Sequence, residues 1–151
     1  MTDFDTGIGD LAERLVTATR TGDHDYVADV LGKLAADDPR TLASALLRDL
    51  VDTGAEMIRA RTRQDGDALY TFEVTTEHDD PVHVDFVPPG PRAALRALAA
   101  SLNRDAGDRD IHVGLATRGT SAEVVAVLVQ CLLWTLELRD TQASTVRLSC
   151  Y

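Results

Sequence analysis

The stretch that most constrains the fold of this chain is VVAVLVQCLLWTL, residues 124–136, in which Gln130 and Thr135 are the only polar side chains. The run covers more than three turns of a helix. A helix that crosses a bilayer needs about 20 apolar residues, and this shorter run is flanked by the charged residues Glu123 and Glu137. Because a helix that is apolar all round is normally buried, the run predicts a C-terminal central helix that is enclosed by a soluble core.

Length and charge limit what the chain can bind. With 151 residues it has the size of one domain, since domains cluster at roughly 100–150 residues. We therefore expect a single globular domain over residues 1–151, with residues 1–8 flexible. The formal net charge of -10 argues against nucleic acid and against an anionic membrane, because both attract clusters of Lys and Arg.

The cysteines and the N-terminal residues predict a cytoplasmic protein. Cys131 lies inside the predicted buried helix and Cys150 is far from it in sequence, so we expect reduced thiols. The N-terminus carries acidic residues where a secretory signal would carry basic ones. Lys33 is the only lysine among many arginines, a bias that suggests a GC-rich coding sequence and a bacterial source.

The first part of the chain follows the helical period of 3.6 residues. Apolar residues recur every three or four positions over residues 9–21, 24–37 and 39–63. Asp38 and Pro39 supply an N-cap acid and a first-turn proline for the third of these helices. The patterns predict an antiparallel helical hairpin or a three-helix unit at the N-terminus.

Part of this region also resembles a known repeat. The segment GDHDYVADVLGKLAADDP, residues 22–39, resembles the second half of a tetratricopeptide repeat, with Val27, Leu31 and Leu34 at its packing positions. The preceding helix lacks the aromatic and glycine positions of that family, and no second copy follows. Because repeat arrays need about three units for stability, we interpret the segment as one arm of a helical hairpin.

Later segments alternate apolar and polar residues, which is the period of a β-strand. The alternation covers residues 69–76 and 82–87, which predict a β-hairpin, and residues 144–150, which predict a C-terminal strand. A hairpin alone is only marginally stable, so we expect the three strands to form a small antiparallel sheet. Residues 88–91 are rich in proline and begin a further helix, while residues 108–117 fit either a helix or a strand, with a short helix favoured. The predicted fold class is α+β and predominantly helical.

The polar face of the predicted hairpin is the first candidate site. Side chains alternate along a strand, so His83 and Asp85 share one face, and Glu73 of the partner strand should lie on the same side. A histidine with two carboxylates can bind a divalent metal or perform acid–base catalysis. An acidic outer face is also typical of any solvated strand. Glu73, His83 and Asp85 are therefore candidate catalytic residues, with His83 and Asp85 as candidate metal ligands.

The start of the central helix is the second candidate. Arg118, Gly119, Thr120 and Ser121 combine an arginine, hydroxyl groups and the N–H groups of a helix N-terminus, which together can hold a phosphate or a carboxylate. In a simpler interpretation, Gly119 makes a turn and Thr120 forms a capping box with Glu123. The glycine and lysine spacing of a phosphate-binding loop is missing.

These observations predict a non-enzymatic, cytoplasmic protein-interaction or regulatory module without a cofactor. The acidic composition favours a basic protein partner, and self-association as a homodimer is the other expected mode. Neither nucleic acid nor a membrane is expected as a partner. The alternative hypothesis is a small metal- or anion-dependent enzyme that uses the polar face of the hairpin.

Overall fold

The computed structural model of the chain describes residues 3–62, 74–75, 78 and 80–140. Over these residues the fold is built mainly from α-helices. The helices are α1 (Asp3–Thr21), α2 (His24–Ala36), α3 (Thr41–Thr62), α4 (Pro89–Leu102), α5 (Ala106–Ala116) and α6 (Ser121–Asp140). Two short strands, β1 (Val74–Thr75) and β2 (Pro81–Val82), pair in antiparallel fashion, and a 3-10 helix follows at Val84–Phe86.

The predicted α+β class with a small antiparallel sheet is wrong. In the part of the chain that the structure describes, strand pairing is limited to the two residues of β1 and of β2. The predicted strand over residues 82–87 ends after Val82 because the next residues satisfy their polar groups locally. The Phe86 N–H donates to the His83 carbonyl over 3.0 Å, and the Asp85 N–H donates to Nδ1 of His83 over 3.2 Å. Such local hydrogen bonds compete with a sheet ladder.

The other two predicted strands are not tested in full. Residues 69–73 and 76 of the predicted first strand lie outside the described residues, as does the whole predicted C-terminal strand over residues 144–150.

The predicted helices of the N-terminal region are confirmed, with different boundaries. α1 begins at Asp3, ahead of the predicted start at Gly9. α3 begins at Thr41 and not at Pro39, so Pro39 is not its first helical residue; the Asp38–Pro39 peptide bond is cis. The preference for a helix over residues 108–117 is confirmed by α5.

α6 forms the centre of the core. It contacts α1, α2, α3 and α4, and Val124, Leu128 and Leu132 on its inner side are fully buried. The capping box predicted at its start is confirmed. Oγ1 of Thr120 accepts from the Glu123 N–H over 3.2 Å, and Oε1 of Glu123 accepts from the Thr120 N–H over 3.4 Å.

Burial of Cys131 within α6 is also confirmed. Its side chain is 3 % exposed, and burial raises the pKa of the thiol to about 12. Because the thiolate is the reactive form of cysteine, Cys131 behaves as a small apolar core residue. Cys150 lies outside the described residues.

Candidate functional site

The structure brings His83 and Asp85 together, but in a turn and not on a strand face. Nδ1 of His83 lies 3.2 Å from Oδ2 of Asp85. Arg92 of α4 approaches the same carboxylate, with Nη1 3.7 Å from Oδ1, and also donates to the Asp85 carbonyl over 3.4 Å. The His83 and Asp85 side chains are 66 % and 65 % exposed. Exposed ion pairs of this kind contribute about 0–1 kcal/mol.

As a metal site this turn supplies two ligands. A protein site for a catalytic metal commonly uses three side chains, and among the described residues no group of three or more His, Cys, Asp or Glu is arranged to hold an ion. Glu73, the third residue of the predicted set, lies outside the described residues.

The loop before α6, which holds the predicted anion site, is fixed to the end of α2. The Arg40 guanidinium donates to the Ala35 carbonyl over 3.0 Å, to the Thr117 carbonyl over 2.9 Å and to the Gly119 carbonyl. The Ser121 hydroxyl donates to the same Ala35 carbonyl over 3.3 Å. Backbone carbonyls of the loop are therefore turned towards a half-buried arginine, which gives the loop a structural role.

A carboxylate already lies at the N-terminus of α6. Oε1 of Glu123 accepts from the Thr120 hydroxyl over 3.0 Å as well as from its N–H, so Glu123 interacts with the positive end of the helix dipole. Arg118 is exposed at an open cleft of about 420 Å³, which two arginines and two aspartates border. Anion binding at this loop stays a prediction, and its candidate residues are Arg118, Gly119, Thr120 and Ser121. The Glu123 carboxylate would compete with a bound anion for the N-terminus of α6.

Sequence reasoning missed a polar cluster between α3, α4 and α5. The Asp52 carboxylate accepts from the Ser101 hydroxyl over 2.7 Å and from Nη1 of Arg109 over 3.0 Å. Arg109 also donates to Asp110 over 3.0 Å. Burial disfavours the Arg109 cation, but its contacts with Asp110 and Asp52 outweigh that cost and raise the pKa of Arg109. The cluster links three helices and leaves the charges paired with each other.

Asp49 of α3 lies near Asp52 of this cluster, in an environment that disfavours its charged carboxylate. Its pKa is raised above the ordinary value, first by burial and then by the nearby charges of Asp52, Glu13 and Glu56. A carboxyl group whose pKa is higher in the folded state favours folding when it is protonated. Stability is therefore lost as the pH rises through the ordinary carboxyl pKa towards the raised one.

Replacing Asp49 by asparagine should thus increase the free energy of unfolding at about pH 7, with a gain that shrinks as the pH falls from the raised pKa towards the ordinary one and is gone below about pH 4. Urea denaturation at several pH values measures this. Asp29→Asn, at an exposed carboxylate on α2, is the matched control and should stay within about 0.5 kcal/mol of the parent protein. An Asp49→Asn effect that is equal at acidic and neutral pH would show that charge is not its cause.

Exposed apolar side chains are the second feature that sequence reasoning missed. Those of Phe86, Ile111 and Leu115 are 82 %, 62 % and 43 % exposed. Ile111 and Leu115 lie one turn apart on α5, where the alternation that suggested a strand places Val113 in the core instead. Single exposed apolar residues are normal on soluble proteins, so none of these three marks a site by itself.

A longer apolar surface lies on α6, whose expected burial on all sides is wrong. We define the outer face of α6 by residues spaced three or four positions apart, which share one side of the helix. Of these, two alanines are exposed and the larger side chains are partly exposed. The outer face consists of Ala122, Val125, Ala126, Val129, Leu133 and Leu136.

The polar residues of the apolar run do not belong to the outer face and are buried. Gln130 and Thr135 are 4 % and 2 % exposed, and the Thr135 hydroxyl donates to the Cys131 carbonyl over 2.9 Å. A surface helix normally buries its apolar side and exposes its polar side. The apolar run of α6 reverses that arrangement, because its two polar residues are in the core and its partly exposed stripe is apolar. The exposed polar residues of α6, which are Ser121, Glu123 and Asp140, lie outside the run.

Neighbouring helices fix α6 in the fold. Against its buried side α4 approaches so closely that a Cβ at Gly90 would lie 2.5 Å from Cγ2 of Val127, which is itself buried. Near its two ends Ser121 bonds the end of α2 and Arg139 donates to Glu13 of α1 over 3.1 Å. The outer face is therefore carried by a helix that its neighbours hold in place.

Judged by length and composition alone, the helix Ser121–Asp140 is long and apolar enough to cross a membrane. The sequence analysis expected the run at residues 124–136 to be too short for this. Core helices of soluble proteins meet the same criterion, and half of the apolar stretch is buried in the fold.

Comparison of the chain with protein-family models, with curated proteins and with solved structures gives no match.

Proposed function

We propose that this chain is a non-enzymatic, cytoplasmic protein-interaction module that binds a partner protein through the outer face of α6. The observation that carries the proposal is the reversed polarity of the apolar run in this helix, which exposes Ala126 and partly exposes Val129 while it buries Gln130 and Thr135. Contiguous exposed apolar surface is a mark of interaction sites. A helix that its neighbours hold in place can present such a surface without a large ordering cost on binding.

The enzyme hypothesis is not advanced further. It depends on a strand face that carries Glu73, His83 and Asp85 together, and β2 ends at Val82 before either of the latter two residues. His83 and Asp85 pair with each other and with Arg92 in an exposed turn, which accounts for their polar atoms without a substrate.

Two alanine positions allow a test of the interaction module. Ala126 is exposed on the outer face of α6, and Ala28 is exposed on α2. Tagged protein recovered from its own host and weighed by native mass spectrometry should retain a second protein. Ala126→Arg should lose that protein and Ala28→Arg should keep it, because only the first variant places a charge in the apolar contact.

The proposal fails if the recovered chain carries no second protein, or if both variants retain it equally. A mass increase that corresponds to a metal ion or a small molecule alone would also contradict it, since that result would favour the enzyme hypothesis at His83 instead.

A further inference from the structure

We infer that the segment which docks on the outer face of α6 is a basic amphipathic helix of the partner, an inference that rests on the proposed function. Its first support is shape. The outer face runs along α6 from Ala122 to Leu136, and at 1.5 Å per residue it is roughly 20 Å long. Amphipathic partner helices dock on apolar surfaces with residues spaced three and four positions apart, so the length of the outer face matches about four turns of a helix.

The second support is charge. Acidic residues stand near both ends of the outer face, because Glu123 follows its first residue, Ala122, and Glu137 follows its last, Leu136. The basic residue of α6, Arg139, is bound to Glu13, and the chain has a formal net charge of -10. Lys and Arg residues beside the apolar side of a partner helix would therefore meet an attractive potential, whereas Glu and Asp would be repelled.

The same charges argue against a second copy of this chain as the occupant. If two outer faces packed in antiparallel orientation, Glu123 of one copy would approach Glu137 of the other. In parallel orientation each of these carboxylates would approach its own equivalent. Either pairing places like charges together at both ends of the contact, which opposes association. A partner of opposite charge avoids this cost.

The test uses the full chain and two synthetic helical peptides of about five turns. Both peptides carry leucine on one side, and their remaining positions are lysine in one peptide and glutamate in the other. In fluorescence anisotropy we expect the lysine peptide to bind with one-to-one stoichiometry and at least about 10-fold more tightly than the glutamate peptide. Ala126→Arg should weaken this binding at least about 10-fold, Ala28→Arg less than about 2-fold, and added salt should weaken it further.

Each failure has a separate meaning. If the glutamate peptide binds as tightly and Ala126→Arg blocks it, the basic partner is wrong while the docking face stands. If the lysine peptide binds Ala126→Arg as well as the parent chain, its attraction is non-specific and the inference is wrong. A dimer in sedimentation equilibrium that excludes both peptides and dissociates with Ala126→Arg would assign the face to a second copy. If neither peptide binds and the chain is a monomer, the docking face itself is wrong.

Discussion

Arg40→Ala should lower the free energy of unfolding by about 3 kcal/mol. Hydrogen bonds from a charged donor contribute about 1.5–3 kcal/mol each and are not additive, and Arg40 donates to the carbonyls of Ala35, Thr117 and Gly119. Alanine would leave these partly buried carbonyls without their donor and would free the loop before α6 from the end of α2. Trp134, the only tryptophan and 4 % exposed, provides the fluorescence signal for urea denaturation.

Two further arginine variants test the cause of this effect. Arg48→Ala removes a more exposed arginine whose Nε lies 3.6 Å from Asp110, so its effect should stay within about 0.5 kcal/mol. Arg40→Lys keeps the charge, but one ammonium group cannot reproduce the fork of a guanidinium that reaches several carbonyls, and it should recover less than half of the loss. Equal effects of Arg40→Ala and Arg48→Ala would contradict the role given to Arg40.

Gly90→Ala should lower the free energy of unfolding by about 2 kcal/mol, although alanine normally favours a helix over glycine. A Cβ at Gly90 would lie 2.5 Å from Cγ2 of Val127, which is far inside van der Waals contact, and overpacking of a core costs about 1–3 kcal/mol. Gly54→Ala is the matched control in α3. There the added Cβ would lie 3.5 Å from Leu98 and 3.6 Å from Leu138, so this variant should gain up to about 1 kcal/mol.

A double-mutant cycle with Val127→Ala isolates the contact. Shortening Val127 removes the atom that the Gly90→Ala methyl group would strike, so the cost of Gly90→Ala should largely disappear in the Val127→Ala background. Residues in contact show such coupling, whereas distant ones add independently. Strictly additive losses would mean that the close approach of α4 to α6 at Gly90 does not limit the side chain there.

Helices were predictable from this sequence wherever apolar residues recurred every three or four positions over a long stretch. The capping box at Thr120 and Glu123 followed from residue types at fixed spacing, and it is present as predicted. The second predicted strand failed because its alternation is short. Phe86 is 82 % exposed and Val87 is 6 % exposed, the reverse of what that alternation implied, since local hydrogen bonds of His83 turn the chain into a 3-10 helix.

The candidate surface was hidden from sequence reasoning for a different reason. A run that is apolar on every side has no periodicity, so residues 124–136 could not show that Val129 faces outwards and Gln130 inwards. Only the positions of the neighbouring helices decide that. The pairing of Asp52 with Arg109 was equally out of reach, because 57 positions separate them and nothing in the local sequence of either residue points to the other.

The position of α6 in the chain has a consequence for synthesis on the ribosome. It is the last helix of the described residues, yet α1, α2, α3 and α4 all pack against it. Translation proceeds at roughly 5–20 residues per second, so several seconds separate the emergence of α1 from that of α6. During that interval Leu15, Leu31 and Leu46, which are fully buried in the finished fold, have no central helix to pack against. The nascent chain therefore presents the kind of apolar surface that chaperones recognise until α6 has left the ribosome.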